Sequence, residues 1–359
     1  MAQQFPCQQC GADLEFSPGA QAQKCPYCGH ENAIPQSEED IRELDFDKFL
    51  AEMEESEEVT EQVVARCEGC GAESSMDPNI TSDDCPFCGS PMVAKGGSNK
   101  QIKPKSLLPF AVTRDEATKS FVDWIQSLWF APNKLKEYTK NHQGLNGMYV
   151  PYWTYDSDTT SYYTGQRGEH YYVTETYTTQ ENGQTVTKTR QVRKTRWYPC
   201  RGVVWNTFDD VLVLASDSLP TKYIEALEPW DLENLVPYGD EYLAGFRTES
   251  YQLGLGPGFH KAQDIMDDDI RRSVRYDIGG DEQRISSVKS QYDNVTFKHI
   301  LLPVWISAYR YQEQVYRFLI NARTGEVQGE RPYSWIKITL AVIAGLAVVG
   351  VIAALVANK

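Results

Sequence analysis

Hydrophobic and polar positions along the chain follow two periods. In residues 37–53, Phe46, Phe49, Leu50 and Met53 recur at i, i+3, i+4 and i+7, with Ser37 placed to cap the start, and this predicts an acidic amphipathic helix. It reads either as a solvated spacer or as a helix that docks its Phe46, Phe49 and Leu50 face on the rest of the chain. After "LLPF", a short strand, Ala117, Phe121, Trp124, Ile125 and Leu128 line one face of a second helix. "YVPYWTYD" and "ILLPVWISAYRY" have strand character, and a helical stretch over 260–274 follows "LVPYGDEYLAGF". The proline-aromatic motif common to these parts points to a diverged duplication of a strand, helix, strand unit. In "EHYYVTETYTTQENGQTVTKTRQVRKTRWY", alternating Thr, Tyr and Val flank Asn182 and Gly183, the preferred pair for a type I′ turn, so a long hairpin is expected. Asn321, Thr324 and Gly325 mark another turn.

The pattern ends in an apolar run. Residues 338–357 contain no charge and only Thr339 as a polar residue. Twenty helical residues span about 30 Å, the thickness of a bilayer's hydrocarbon core. Tyr333 and Trp335 stand where interfacial aromatics belong, with Arg331 and Lys337 on the same side. A single-pass anchor over 335–357 is expected, with everything before it facing the cytoplasm. Ala341, Gly345, Gly350 and Ala354 form small-x-x-x-small pairs of the kind that permit helix association.

Cysteine spacing adds chemistry. Eight of the nine cysteines form four C-x-x-C pairs before residue 90, in two copies of one unit: C-x-x-C-G-A and then C-P-(Tyr or Phe)-C-G, with fourteen residues between the cysteine pairs. Cys7, Cys10, Cys25 and Cys28 make the first set, and Cys67, Cys70, Cys85 and Cys88 the second. Four thiolates suit one tetrahedral Zn2+ in each, two zinc ions in all, and iron accepts the same shell. Disulfides fit poorly with a chain that lacks the basic and apolar regions of an export signal. His30 reads as a neighbour of a completed shell, and Cys200 as a small half-buried side chain in a strand. Closed four-thiolate sites stabilise a fold and leave no position for activating water.

Charge limits the partners. Lys and Arg total 35 against 50 Asp and Glu, a formal charge of −15. Between Cys67 and Met92 there are five acidic residues and no Lys or Arg, and between Phe5 and His30 only Lys24 is basic. Phosphate contacts need cations, so protein recognition suits both ribbons better than nucleic acid. One stretch departs from this background: Lys188, Arg190, Lys194 and Arg196 share strand parity and would form a cationic stripe. It reads as a solvated face, or as a contact for anionic headgroups of the adjacent leaflet or for nucleic acid.

Motifs of catalysis do not stand out. The sequence has no phosphate loop, no H-E-x-x-H and no G-x-S-x-G, and its histidines are scattered. "GLGPGF" (254–259) reads as a plain loop and Asp267, Asp268 and Asp269 as a solvated helix face.

The order of parts, with two N-terminal four-cysteine ribbons, "LLPF", "YVPYWTYD", "LLPVW", the "TGEVQGERP" turn and one apolar helix, resembles a bacterial family of membrane-anchored double zinc-ribbon proteins. Members carry primosomal-helicase-like or transcription-factor-like labels from their ribbons. Some are encoded beside phage-shock protein A and flotillin-like partners, which implies recruitment of such cytoplasmic proteins to the inner membrane, in envelope stress. The helicase label needs a phosphate loop, which is missing here. The expected fold is therefore α+β and multidomain: ribbon 1 (1–34), acidic helix or spacer (35–64), ribbon 2 (65–94), linker (95–106), a strand-rich α+β domain (107–332) and the transmembrane helix (335–357). The expected function is that of a non-enzymatic, membrane-tethered adaptor, with a membrane-held nucleic-acid binder as the competing class.

Overall fold

The structure is a computed structural model that describes residues 5–20, 22–34, 41–52, 59–67, 73–75, 82–84, 91–93, 98–138, 144–181, 184–311 and 314–357. It is an α+β, strand-rich protein with a cysteine cluster near its N-terminus and an apolar helix at its C-terminus. The first ribbon is a three-stranded antiparallel sheet of β1 (Glu15–Ser17), β2 (Ala22–Lys24) and β3 (Glu31–Ala33). Next come β4 (Leu44–Asp45) and α1 (Phe46–Glu52), whose first turn is capped by the Asp45 carboxylate accepting from Lys48 N–H at 2.8 Å. Phe46 and Phe49 are buried against Tyr155, Phe259 and Phe297, while Leu50 faces solvent. The amphipathic face thus docks on the body, through two aromatics of the expected cluster.

The described residues between 59 and 102 carry β5 (Val59–Arg66), β6 (Glu73–Ser75), β7 (Ser82–Asp84), β8 (Pro91–Val93) and β9 (Ser98–Ile102). Two expectations need correction here. The helix or spacer expected to reach residue 64 gives way to β5, and the flexible linker contains β9, which pairs antiparallel with β5 from Val59↔Ile102 to Val63↔Ser98. The Gly, Ser and Lys content that looks like a linker hides Ile102, which is 2% exposed and joins the core.

The body is built on β10 (Ser106–Leu107), α2 (Arg114–Ser127), α3 (Asn133–Tyr138), β11 (Asn146–Glu181), β12 (Gln184–Leu214), α4 (Thr221–Glu225), β13 (Val236–Pro237), β14 (Arg247–Thr248), α5 (Leu255–Ile278), β15 (Glu282–Tyr311), β16 (Gln314–Asn321) and β17 (Val327–Gly329). The main sheet runs β12-β11-β15-β10-β13, with β4, β14, β16 and β17 attached off this path. α2 follows a Thr113–Glu116 capping box and buries Ala117, Phe121 and Ile125, matching its periodicity. "GLGPGF" is not a loop: α5 starts at Leu255 and takes Gly256, Pro257 and Gly258 into its first turn. Proline is tolerated there, and Gly258 lies so close to the Tyr155 hydroxyl and the Trp153 ring that a Cβ would strike them.

Two strand, helix, strand halves are related by a two-fold axis through the Val150↔Leu302 pair, flanked by Tyr149↔Pro303 and Pro151↔Leu301. β14 runs parallel to β11 with Tyr149↔Thr248, and β10 runs parallel to β15 with Leu107↔Leu301. Trp153 Nε1 donates to Leu253 O at 2.8 Å, and Trp305 Nε1 donates to Val112 O at 2.9 Å. Ala215 N–H donates to Pro151 O at 3.0 Å, and Ala322 N–H to Pro303 O at 3.1 Å. The counterpart of "LLPF" is therefore "TESY" at 248–251, not "LVPY" at 235–238, where β13 adds an antiparallel edge to β10.

One face of the central strands packs α2 through Tyr149, Leu301, Trp305 and Phe318, and α5 through Trp153, Tyr155 and Phe297. The opposite face buries Val150, Tyr152, Ile300 and Leu302 against Ile224, Leu227, Trp230 and Cys67. Outside this body, β11 and β12 continue as an arm. β15 accompanies them to Gly168↔Glu282, after which β11 and β12 pair alone to Glu181↔Gln184, on either side of the expected turn at 182–183. From Asn146 to Glu181, β11 spans about 115 Å at about 3.3 Å per residue. The last helix, α6 (Trp335–Ala357), contains the stretch Trp335–Ala353, which is long and apolar enough to cross a membrane and has none of its residues buried.

Candidate metal centre

Four thiols of the first ribbon converge. Cys7 Sγ lies 3.6 Å from Cys28 Sγ and Cys10 Sγ lies 3.5 Å from Cys25 Sγ, with all four sulfurs within 4.8 Å of one another. A tetrahedral zinc with Zn–S near 2.3 Å requires sulfur separations of about 3.8 Å, so the set fits one four-coordinate ion. Local sequence builds the cage. Gly11 N–H donates to Cys7 O at 2.9 Å and Gly29 N–H to Cys25 O at 3.0 Å, and these glycines have φ of 72° and 74°. That left-handed turn is costly for any residue with a Cβ, which explains the glycine after each C-x-x-C. Cys7 N–H donates to Ala12 O at 2.7 Å and Cys25 N–H to His30 O at 2.9 Å, closing both knuckles. His30 thus contributes its backbone, and its ring lies outside the sulfur cluster.

The sulfurs compete for protons. A hydrogen bond from the backbone of Cys28 stabilises the Cys25 thiolate and brings that thiol down to about 6. The His30 backbone favours the Cys28 thiolate in the same way, yet burial and the neighbouring thiols push Cys28 up to about 12. Four sulfurs this close could ionise together only around a cation, and a divalent metal would supply it. Zinc in this shell would cross-link the two knuckles and leave no open coordination position.

The ribbon is seated on the body. Phe16 packs against Tyr242 and Phe246 with ring centroids 5.4 and 6.2 Å apart, and its N–H donates to Ala244 O at 2.9 Å. Gln23 Nε2 donates to Glu241 O at 3.3 Å, and Ile34 enters the core around α2. The second knuckle turns outward, leaving Tyr27 83% exposed. Beside it lies a cleft of about 620 Å³ lined by Cys10, Asp13, Glu15, Pro26 and Tyr27, among others.

Of the second set, Cys67 is fully buried in the core over α4. Cys70, Cys85 and Cys88 fall outside the described residues. Cys200 is half-buried on β12 opposite Gly165, as expected of it.

A second polar cluster, which sequence reasoning missed, sits where the arm leaves the body. Register shifts at Tyr155/Ser157 and Asp156/Asp158 bulge β11, and Asp210 and Asn294 adopt φ of 52° and 53°. Carboxylates of Glu43, Asp156 and Asp209 gather there within 4.8 Å. The nearly buried Lys298 ammonium reaches Glu43 Oε1 at 3.0 Å and Asp210 Oδ1 at 2.8 Å, so the local negative charge has a cation of its own. Burial, with Glu43 beside it, pushes Asp156 up to about 6. Only nonlocal pairing assembles this group, since its members come from β11, β12, β15 and the segment before β4. Burial also depresses the His299 imidazole, to about 4; its Nδ1 lies 2.7 Å from Ile102 O.

The cationic stripe lies on the arm. Lys188, Arg190, Lys194 and Arg196 stand opposite Tyr177, Glu175, Tyr171 and Glu169 of β11. Arg190 lies over the Tyr177 ring at 5.6 Å and Arg196 over Tyr171 at 5.0 Å, while Glu175 pairs with both Arg190 and Lys194. Aromatics are therefore interleaved with the cations, from the neighbouring strand. By contour the stripe begins about 75 Å and ends about 100 Å along β11 from Asn146. The Asn146 end is also the α6 end: Leu145, Ala131 and Leu135 share one core cluster, and Ser334 N–H donates to Phe130 O at 2.7 Å.

No family model and no solved structure matches the chain significantly. The chain is similar to the "Uncharacterized protein YdjG" of Bacillus subtilis (strain 168), with 23% identity over 331 residues that cover 92% of this chain and 90% of that one. The similarity covers most of the length of both chains and carries no activity with it.

Proposed function

We propose that the chain is a non-enzymatic, membrane-tethered zinc-ribbon adaptor that holds cytoplasmic protein partners at the inner membrane. The observation that carries this reading is polarity: an unburied apolar helix leaves one end of the body, and the β11/β12 arm projects from the other. A closed four-sulfur site in the ribbon seated on the body suits a rigid scaffold rather than chemistry. In this reading α6 is the single span, and the seated first ribbon offers Tyr27 and its acidic cleft as a recognition surface. Exposed aromatics on rigid knuckles are favoured anchors at protein interfaces. Cys67, Cys70, Cys85 and Cys88 would hold a second zinc by the repeat of the C-x-x-C-G-A and C-P-x-C-G units.

Crosslinking in intact membranes, followed by identification of captured proteins, tests the adaptor role. A Cys25→Ser, Cys28→Ser variant and an arm-deleted variant should each lose partners held by the wild type; identical captures from all three would refute it. Metal analysis of the purified full-length protein should find two zinc ions per chain, and a metal-free protein would remove the scaffold.

A second reading, nucleic-acid binding at the membrane, gains one observation. The arm's four cations form a local basic patch interleaved with Tyr171 and Tyr177, a surface able to attract phosphates despite the net charge of −15. Arg-capped tyrosines also suit single strands. Affinity for DNA or RNA that falls steeply with salt and vanishes without the arm would favour this reading over the adaptor.

A further inference from the structure

The loop between α2 and α3 carries two adjacent aromatics toward solvent, Trp129 at 75% and Phe130 at 38% exposure. It is fastened to the first turn of α6. Ser334 N–H donates to Phe130 O at 2.7 Å, and Lys337 Nζ donates to Trp129 O, Ala131 O and Asn133 Oδ1 at 3.3, 2.8 and 2.7 Å. Three donors meet three acceptors, so Lys337 is fully engaged in holding the loop against the helix. This puts Trp129 and Phe130 level with Trp335 and Lys337, where α6 passes from polar to apolar residues. Between loop and helix lies a cleft of about 410 Å³ lined by Trp129, Lys337, Leu340 and Ala341.

We propose that the Trp129–Phe130 loop is a second membrane contact, dipping into the interfacial layer beside α6, and that the cleft is filled by a lipid acyl chain lying along Leu340 and Ala341. The occupant follows from continuity. Leu340 and Ala341 belong to the stretch whose residues are wholly unburied, and the cleft is an extension of that lipid-facing surface onto the body. Tryptophan suits this depth because its ring is apolar while its N–H stays hydrated. The ion charge of Lys337, met by carbonyls rather than a carboxylate, also suits an anionic surface. The consequence is a fixed pose: one helix lets a body swivel, whereas a helix and a bonded aromatic loop define an orientation. This inference rests on α6 being the span.

The test uses full-length protein in vesicles of phosphatidylcholine and phosphatidylglycerol, with and without phosphatidylcholine brominated near the top of its chains. Difference fluorescence between wild type and Trp129→Phe isolates Trp129, and that between wild type and Trp335→Phe isolates Trp335. Both components should lose about half their intensity to the brominated lipid, as expected of interfacial tryptophans. Quenching of Trp335 without Trp129 would overturn the loop contact and leave the span intact. Quenching of neither would remove the span and the proposal together. Trp129 unquenched but crosslinked from position 129 to position 340 of another copy would assign the face to a dimer and refute the lipid.

Discussion

Trp153 and Trp305 occupy equivalent positions in the two halves of the body, each donating its indole N–H to a carbonyl just ahead of a helix, yet what extends beyond them differs. In the half around Trp153, the strand continues through a bulge into the long β11/β12 arm, and α5 runs 24 residues along its base. In the half around Trp305, β15 and β16 close a short hairpin and α2 runs 14 residues before the loop that meets α6. One hydrogen-bonded scaffold thus carries two different extensions, the apolar helix α6 beside one half and the β11/β12 arm beyond the other.

The strongest way to break the comparison is to remove each tryptophan. Trp153→Ala and Trp305→Ala should each cost about 3–5 kcal/mol, with similar values because both rings are buried and bonded alike. Urea unfolding of the full-length protein in detergent measures this. A large asymmetry would mean that the halves do not share the load. Next comes the closest helix approach, where Gly258 of α5 corresponds to Ala117 of α2. Gly258→Ala should cost about 1–3 kcal/mol through its collision with Tyr155 and Trp153. Ala117→Gly should cost only about 1 kcal/mol.

A smaller effect depends on pH. Asp156, at the root of the arm, corresponds to Ala308 in the other half. Because its native pKa lies above the unfolded value, the folded protein holds the proton more tightly, and stability falls as pH rises from about 4 to about 6. Asp156→Asn should therefore be neutral near pH 4 and stabilising by about 1 kcal/mol above pH 6, the value being reduced by partial solvent access. Equal effects at both values would discount the buried charge. The smallest effect should come from shortening the arm by deleting matched residues between His170 and Thr195. The body's melting temperature should move by less than about 2 °C, since among the described residues the two strands here pair only with each other in the sheet. A large drop would make the arm part of the core.

The sequence reading followed how local each signal is. Knuckle chemistry was legible because the glycine after each cysteine pair and the spacing of the thiols act within a few residues. The face of α2 was legible because its period of 3.6 survives in Ala117, Phe121 and Ile125. Length and company of the strands were not. Nothing near Tyr155 announces that β11 runs to Glu181, and the threonines, charges and glycines at 157–168 look like connecting chain. "GLGPGF" reads as a breaker because the need for Gly258 comes from Tyr155, about a hundred positions away. "LVPY" was paired with "LLPF" by likeness, whereas the true counterpart, 248–251, is recognised only by its hydrogen bonds. The aromatics over the cationic stripe lie across the ladder, and the cluster around Lys298 draws on four separate segments.

The polarity of the molecule is the central claim, and lipid-to-arm energy transfer tests it most directly. Donor dyes are placed, through a genetically encoded azide, at Thr178 on the arm or at Asn133 beside α6, and full-length protein is reconstituted in vesicles with a surface acceptor lipid. The account predicts strong transfer from position 133 and almost none from position 178, about 105 Å of strand from Asn146. Equal transfer from the two sites would contradict it.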